Sequence, residues 1–268
     1  MPIIDSTARV SDGANIADDA VIGPFCIVGP DVTLHSGVRL RSHVNVEGLT
    51  TIGARTEVFP FASLGTAPQS VHYKGERTEL VIGMDCVIRE HATANIGTAG
   101  GHGITRIGDR CMMMTGSHVG HDCKVGDNVI FANNAVLGGH VEVGDFVFLG
   151  GQCAVHQFTR IGAQAMISGL TGVREDVIPF GYALGQAARL VGLNTIGMKR
   201  RGYVKSDLHA ARAAYRDLFF GEGVFAERLA RLREQAERSS FAAVIVEFVD
   251  AGGNRALCQP SRSVVSEE

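Results

Sequence analysis

The stretch that decides the fold is "FANNAVLGGHVEVGDFVFL", residues 131–149. Phe131, Leu137, Val143 and Leu149 recur every six residues, a period that suits neither a 3.6-residue helix nor a simple alternating strand. Counting outward in sixes extends the series in both directions. Upstream of a break it holds Ile4, Val10, Ile16, Ile22, Val28, Leu34, Leu40, Val46, Ile52, Val58 and Leu64, then Ile82 and Ile88. After a slip of one residue near "GTAGGHG" (97–103) it runs through Ile107, Met113, Val119 and Val125, and beyond residue 149 through Val155, Ile161 and Ile167 to Val173. The chain is 45% hydrophobic, so chance fills about half of such positions, not all of them.

Short strands joined by tight turns satisfy this period. Three hexads make a triangular coil of about eighteen residues, and coils stack into a parallel β-helix. Each turn is expected to need glycine or a small polar residue. Four positions after the aliphatic residue lies a second tight column: Cys26, Val32, Val44, Ala62, Cys86, Cys111, Cys123, Ala135, Cys153 and Ala165. Five of the six cysteines fall in it, which marks them as small buried hydrophobes rather than ligands or nucleophiles.

Composition agrees with this and narrows the function. The formal charge of −3 argues against bulk electrostatic binding of nucleic acid. No apolar run is long enough to span a membrane, and "MPIIDSTARVSDG" does not resemble a signal peptide. Cysteines without a CxxC pair suggest a cytoplasmic protein with reduced thiols. We expect a mainly β protein: a left-handed parallel β-helix over 1–180, then a small α-helical domain over 181–268. Three helices are expected, over 206–223 with Ser206 as N-cap, 225–240 and 240–253. Their expected role is to cap the open end of the prism. Two stretches leave the hexad count, 65–80 and 95–106, and insertions in solenoids form surface loops, often at the binding face.

Stacking converts spacing into geometry. His121, Gly139 and Gln157 are eighteen apart and share the third place of a hexad, so they should form one outward column, with His118, His140 and His156 nearby. From the residues alone two chemistries stay open. Clustered histidines suit a zinc site between subunits. A single histidine followed by Asp122 suits a general base with its orienting carboxylate.

The hexads resemble the hexapeptide-repeat acyltransferases. More narrowly, "IGPFCIVGP" (22–30), "LRSHVNVEG" (40–48), "YKGE" (73–76), "SHVGHDCKVGD" (117–127), "GGQCAVHQFTRIGA" (150–163) and "GLNTIGMKRRG" (192–202) resemble the acyl carrier protein–UDP-N-acetylglucosamine O-acyltransferase family, which begins lipid A synthesis. The resemblance covers nearly the whole chain. It implies a homotrimer with sites between neighbouring prisms, and transfer of a 3-hydroxyacyl chain from acyl carrier protein to the 3-position of the sugar nucleotide. No cofactor or metal is implied, because phosphopantetheine arrives on the donor. His121 matches the general base, Asp122 its orienting carboxylate, and Gly139 the backbone donor to the oxyanion. Ser70, His72, His118, His140, His156, Gln157, Asn194, Arg200 and Arg201 match substrate-binding positions, and the arginine pair is expected beside the histidine column. Adjacent arginines suit a diphosphate. Gly169 matches the acyl-chain ruler, and a glycine there implies a long chain. Lys199, Arg200, Arg201, Lys205, Arg212 and Arg216 form a basic cluster that would attract an acidic carrier protein.

The chain departs from the family pattern at Ser70 and His72, where acid and lysine are usual. It departs again at Asn95 and Ile96, which replace histidine and arginine, and at Ile196, which replaces glutamate. These changes cluster on the sugar side, so the acceptor is alternatively the 3-amino analogue, giving an amide. The later N-acyltransferase of the pathway, an acetyl-CoA-dependent sugar acetyltransferase and a non-enzymatic spacer are the remaining rivals. None of them accounts equally well for hexads from Ile4, a helical tail containing "MKRRG" and the His121 column together.

Overall fold

In a computed structural model, which describes residues 1–252 and 255–261, the chain winds into a left-handed three-faced prism. The faces are sheets of eleven, nine and eight strands, parallel except for the last strand of the first. The chain visits the first, second and third face in turn, and most strands are two residues long. Register confirms the eighteen-residue coil: Met112 pairs with Ile130, and Ile130 with Phe148. Both interruptions are now explained. Glu57 pairs with Val87, thirty residues on, so the first insertion is twelve residues, two hexads, and the phase survives. Val87 pairs with Met112, twenty-five on, so the second is seven residues, and the phase slips by one. The first leaves after Ser63–Thr66 of the second face and returns at Glu79–Ile82 of the third; the second leaves after Thr93–Asn95 and returns at Ile104–Ile107. Both therefore emerge at the corner between the second and third faces, in consecutive coils.

From Ile22 to Val173 the aliphatic column is buried, with no member more than 5% exposed. Removing water from each such side chain is worth about 1.5–3 kcal/mol. The cysteine column is buried as well, and burial pushes the Cys123 and Cys153 thiols up to about 12, so neither is a thiolate at neutral pH. Ile4 at the first coil is 43% exposed, so the amino-terminal end of the prism is open. The other end is closed. Strands Gly181–Leu184 and Arg189–Leu193 extend the first face beyond residue 180, and Leu190 packs in one core with Tyr215, Leu218, Leu229, Leu232 and Ile245 of the helices.

The helices are α1 (Thr195–Arg200), α2 (Lys205–Phe220), α3 (Phe225–Ala236) and α4 (Ser240–Asp250). Helix α1 is an addition to the three expected. Ser206 is not the cap of α2; Val204 holds that place, and its N–H donates to Asp207 Oδ2 at 2.8 Å. The last position expected in the third helix, 253, lies outside the described residues. A strap after α4 returns to the prism, where Leu257 bridges Asp176 and Pro260 bridges Leu190.

Turn chemistry differs from expectation. The left-handed corner positions are held mostly by residues other than glycine, among them Phe61, His91, Asp122, His140 and Phe158. The strain of about 1–3 kcal/mol at each is offset by stacking between coils. The His140 N–H donates to His121 O at 2.9 Å, and the Phe158 N–H to Gly139 O at 3.1 Å. Many glycines instead sit where coils touch: a Cβ at Gly53 would meet Gly83 C at 2.5 Å.

Candidate active site

The second–third corner gathers most of the expected residues. His121 follows strand His118–Val119, His140 follows Val136–Leu137, and His156 and Gln157 follow Ala154–Val155, all on the second face. His121, Gly139 and Gln157 form one column. Asp122, His140 and Phe158, at the left-handed positions, form the next. The His140 and Phe158 rings stack at 4.5 Å and 11°, and His121 meets His140 edge-on at 5.0 Å.

Asp122 is not on an exposed stripe. It is fully buried beneath the second insertion, which wraps its carboxylate. Oδ1 accepts from the N–H groups of His102 at 2.8 Å and Gly103 at 3.1 Å; Oδ2 accepts from the Thr98 hydroxyl at 2.6 Å; the Thr98 N–H lies 3.1 Å from both oxygens. Gly101 admits this wrap, since a Cβ there would stand 2.5 Å from the carboxylate. Burial alone would push the Asp122 carboxyl up. Hydrogen bonds from the Thr98 hydroxyl, His121 and the Thr98 amide outweigh it and hold the group below the usual carboxylate range.

The remaining partner of Oδ2 is His121 Nδ1, at 2.8 Å. A carboxylate only accepts, so Nδ1 carries the proton and Nε2 presents a lone pair. Gly139 lies against this ring: a Cβ there would come within 2.6 Å of Cε1 and Nε2. Only glycine lets the backbone at 139 lie against the ring. His140 Nε2 is 3.8 Å from Asp122 Oδ2, beyond a hydrogen bond, and burial holds His140 below the ordinary histidine range. Burial does the same to His118, whose Nδ1 lies 2.8 Å from the Thr93 hydroxyl. His121, Asp122 and His140 place one ligand atom each within 4.8 Å of one another. The Asp122 oxygens are already committed to Thr98, His102, Gly103 and His121, so a cation would have to displace the loop they hold.

Two clefts meet at His121. One, of about 400 Å³, is lined by Gln69, Asn95, His118, Gly138, Gly139 and Gln157 among others. The other, of about 480 Å³, lies under the first insertion and brings Ser70, His72, Lys74 and Thr98 to His121, His140 and Gln157. Sequence reasoning missed Thr98 and His102 as holders of Asp122. Their signal was the phase slip, which places that loop in the coil below His121.

Four expected residues lie elsewhere in the chain. Arg201 Nε donates to Gln164 Oε1 at 2.8 Å, on the third–first corner, and Arg200 is exposed beside it. The arginine pair is therefore not beside the His121 column within one chain. Asn194 is buried as the N-cap of α1: its side chain accepts from the Gly197 N–H at 3.0 Å and donates to Gln164 O at 2.9 Å. Gly169 lies on the first–second corner, where a Cβ would meet Gly151 O at 3.2 Å and little else.

Residues 176–258 match the model of the second domain of UDP-N-acetylglucosamine O-acyltransferase, and 104–139 match that of the bacterial transferase hexapeptide. The acyl-[acyl-carrier-protein]–UDP-N-acetylglucosamine O-acyltransferase of Azorhizobium caulinodans is 73% identical, over 99% of this chain and 98% of its own. That of Caulobacter vibrioides is 54% identical over 83% and 84%. The crystal structure of the UDP-N-acetylglucosamine acyltransferase of Francisella novicida superposes with a TM-score of 0.94 at 33% identity, covering 99% of this chain and 97% of the other.

Proposed function

The chain belongs to the acyl-[acyl-carrier-protein]–UDP-N-acetylglucosamine O-acyltransferase family, and from that premise we propose how its residues carry the reaction. It moves a 3-hydroxyacyl chain from acyl carrier protein to the sugar nucleotide, the first step of lipid A synthesis. The open Nε2 of His121 takes the proton of the sugar 3-hydroxyl as its oxygen attacks the thioester carbon. The carbonyl oxygen gains negative charge opposite the Gly139 N–H. Collapse expels the phosphopantetheine thiolate, which takes the proton back from His121. Asp122 fixes the tautomer and stabilises the imidazolium. No cofactor and no acyl-enzyme enter the scheme, and the nearby Cys123 thiol is buried and protonated. The observation that carries this reading is the 2.8 Å His121–Asp122 bond with Gly139 packed on the same ring.

The opposite placement of His121 and Arg201 supports a cyclic trimer. In such an assembly the third–first corner of one prism faces the second–third corner of its neighbour, and Asn194, Arg200 and Arg201 serve the neighbour's site. Mixing inactive His121→Ala and Arg201→Ala subunits tests this: restored activity supports shared sites, and none argues for sites within one chain. The donor protein, acidic and cytoplasmic, would dock on the basic cluster from Lys199 to Arg216.

One observation favours the 3-amino acceptor as a second reading. Asn95 is 97% buried in the His121 cleft. Its Nδ2 faces three oxygens, Thr66 Oγ1 at 2.9 Å, Ala67 O at 3.1 Å and Thr66 O at 3.4 Å, while its Oδ1 has no partner. Flipping the amide would set oxygen against carbonyls, so the cleft presents a fixed acceptor. A hydroxyl has one proton, and His121 needs it; an amine has a second to give. Purified enzyme assayed with both sugar nucleotides against hydroxyacyl carrier proteins of several lengths decides. Preference for the 3-hydroxyl sugar rejects the amide, and transfer to neither rejects the whole reading.

A further inference from the structure

His156 and Gln157 stand one coil above Gly139, and a guanidinium reaches them from the far end of the chain. Arg255 Nη2 lies 2.9 Å from Gln157 O and 3.1 Å from His156 Nδ1. Arginine only donates, so Nδ1 accepts and the neutral ring carries its proton on Nε2. His156 Nδ1 also stands 3.2 Å from Gln157 O. With Nδ1 as an acceptor that pair does not bond, and Arg255 is the donor that reconciles the two.

The placement is built by the strap. On the residue after Arg255, Ala256 O accepts the Asp176 N–H at 2.8 Å; the Cys258 N–H returns to Asp176 O at 2.8 Å; the Leu190 N–H donates to Gln259 O at 3.0 Å. The Cys258 side chain is fully buried and anchors the segment. Nearby arginines are neutralised, Arg160 by Asp176 at 2.8 Å and Arg189 by Glu175 at 3.4 Å. Among the described residues Arg255 bonds only neutral groups, and it is half-buried. Gln157, which it touches, lines both clefts at His121.

We propose that Arg255 belongs to the substrate site, where its guanidinium, which has no ionic partner among the described residues, binds a substrate phosphate. The proposal rests on the acyltransferase reading above. Both substrates of that reaction carry the group: a diphosphate in the sugar nucleotide, a phosphodiester in the pantetheine arm. Charge-assisted, planar bonding suits arginine to either.

The test uses the full chain with Arg255→Ala, Arg255→Lys and Arg255→Gln, reading KM for each substrate, kcat and Tm. Arg255→Ala should raise KM for a phosphate-bearing substrate about tenfold, with kcat within about threefold and Tm nearly unchanged. Lysine should recover most of the affinity and glutamine little. A rise confined to the sugar nucleotide, with weaker binding of UDP by calorimetry, assigns the diphosphate. A rise confined to acyl carrier protein, with weaker binding of phosphopantetheine and unchanged binding of UDP, assigns the pantetheine arm. Unchanged KM values for both, or full recovery by glutamine, would overturn the proposal and leave Arg255 a tether of the strap. Absence of turnover in the unaltered enzyme would count against the acyltransferase reading instead, and the two calorimetric titrations would still decide for or against Arg255.

Discussion

Replacing Gly139 with alanine tests the contact on which the site depends. The new Cβ would stand 2.6 Å from His121 Cε1 and Nε2, where carbon contacts settle at about 3.5–4.0 Å. The ring must withdraw by about 1 Å, and a displacement of that size costs about 10²-fold in rate. Gly139 does not have a positive φ, so alanine brings no backbone strain, and the prism should keep its stability to within about 1 kcal/mol. Gly151 is the control. It holds the same place in its hexad, and a Cβ there would meet only Asn133 O, at 3.5 Å. Steady-state transfer from hydroxyacyl carrier protein, alongside thermal melts, should show Gly139→Ala about 100-fold slower in kcat/KM with Tm nearly unchanged. Gly151→Ala should match the unaltered enzyme. Full activity of Gly139→Ala would refute the placement of the reacting atoms at this ring.

Three further outcomes follow from the same geometry. Asp122→Asn sets an amide among donors from Thr98, His102 and Gly103 and frees the His121 tautomer; kcat should fall about 10²–10⁴-fold, and a near-normal rate would reject the orienting role. His118 and His140 are held below the ordinary histidine range, so the unfolded chain binds protons the folded one refuses as pH falls through about 6.5. Stability should be complete above that pH and decline below it, and paired His118→Gln and His140→Gln replacements should flatten the decline; an unaltered slope contradicts the assignment. Gly169→Met fills the open first–second corner and should shift preference to shorter acyl chains; an unmoved preference removes Gly169 as the ruler.

Much of the prism was legible because each coil repeats the same constraint. The columns of Ile22 to Val173 and of Cys26 to Ala165 follow from counting in sixes, and so does the stack of His121, Gly139 and Gln157. Corner chemistry was less legible. Glycine was expected to serve the turns, but coil-to-coil bonds and ring stacking let His140 and Phe158 hold left-handed positions, freeing glycine for close contacts. The burial of Asp122 was not legible, because its cover, Thr98 to Gly103, lies in an insertion without periodicity. The arginine pair was expected beside His121 because residues 194–201 lie beyond the hexads, where the count no longer says which corner they reach. Arg255 carried no local signal at all: its place depends on a strap pinned to Asp176 and Leu190.

The central claim is that His121 Nε2 is the base. Single-turnover transfer by His121→Ala, with the melt compared to that of the unaltered protein, tests it most directly. A folded protein slowed about 10²–10⁴-fold is the predicted result; a folded protein that still turns over at the original rate would contradict it.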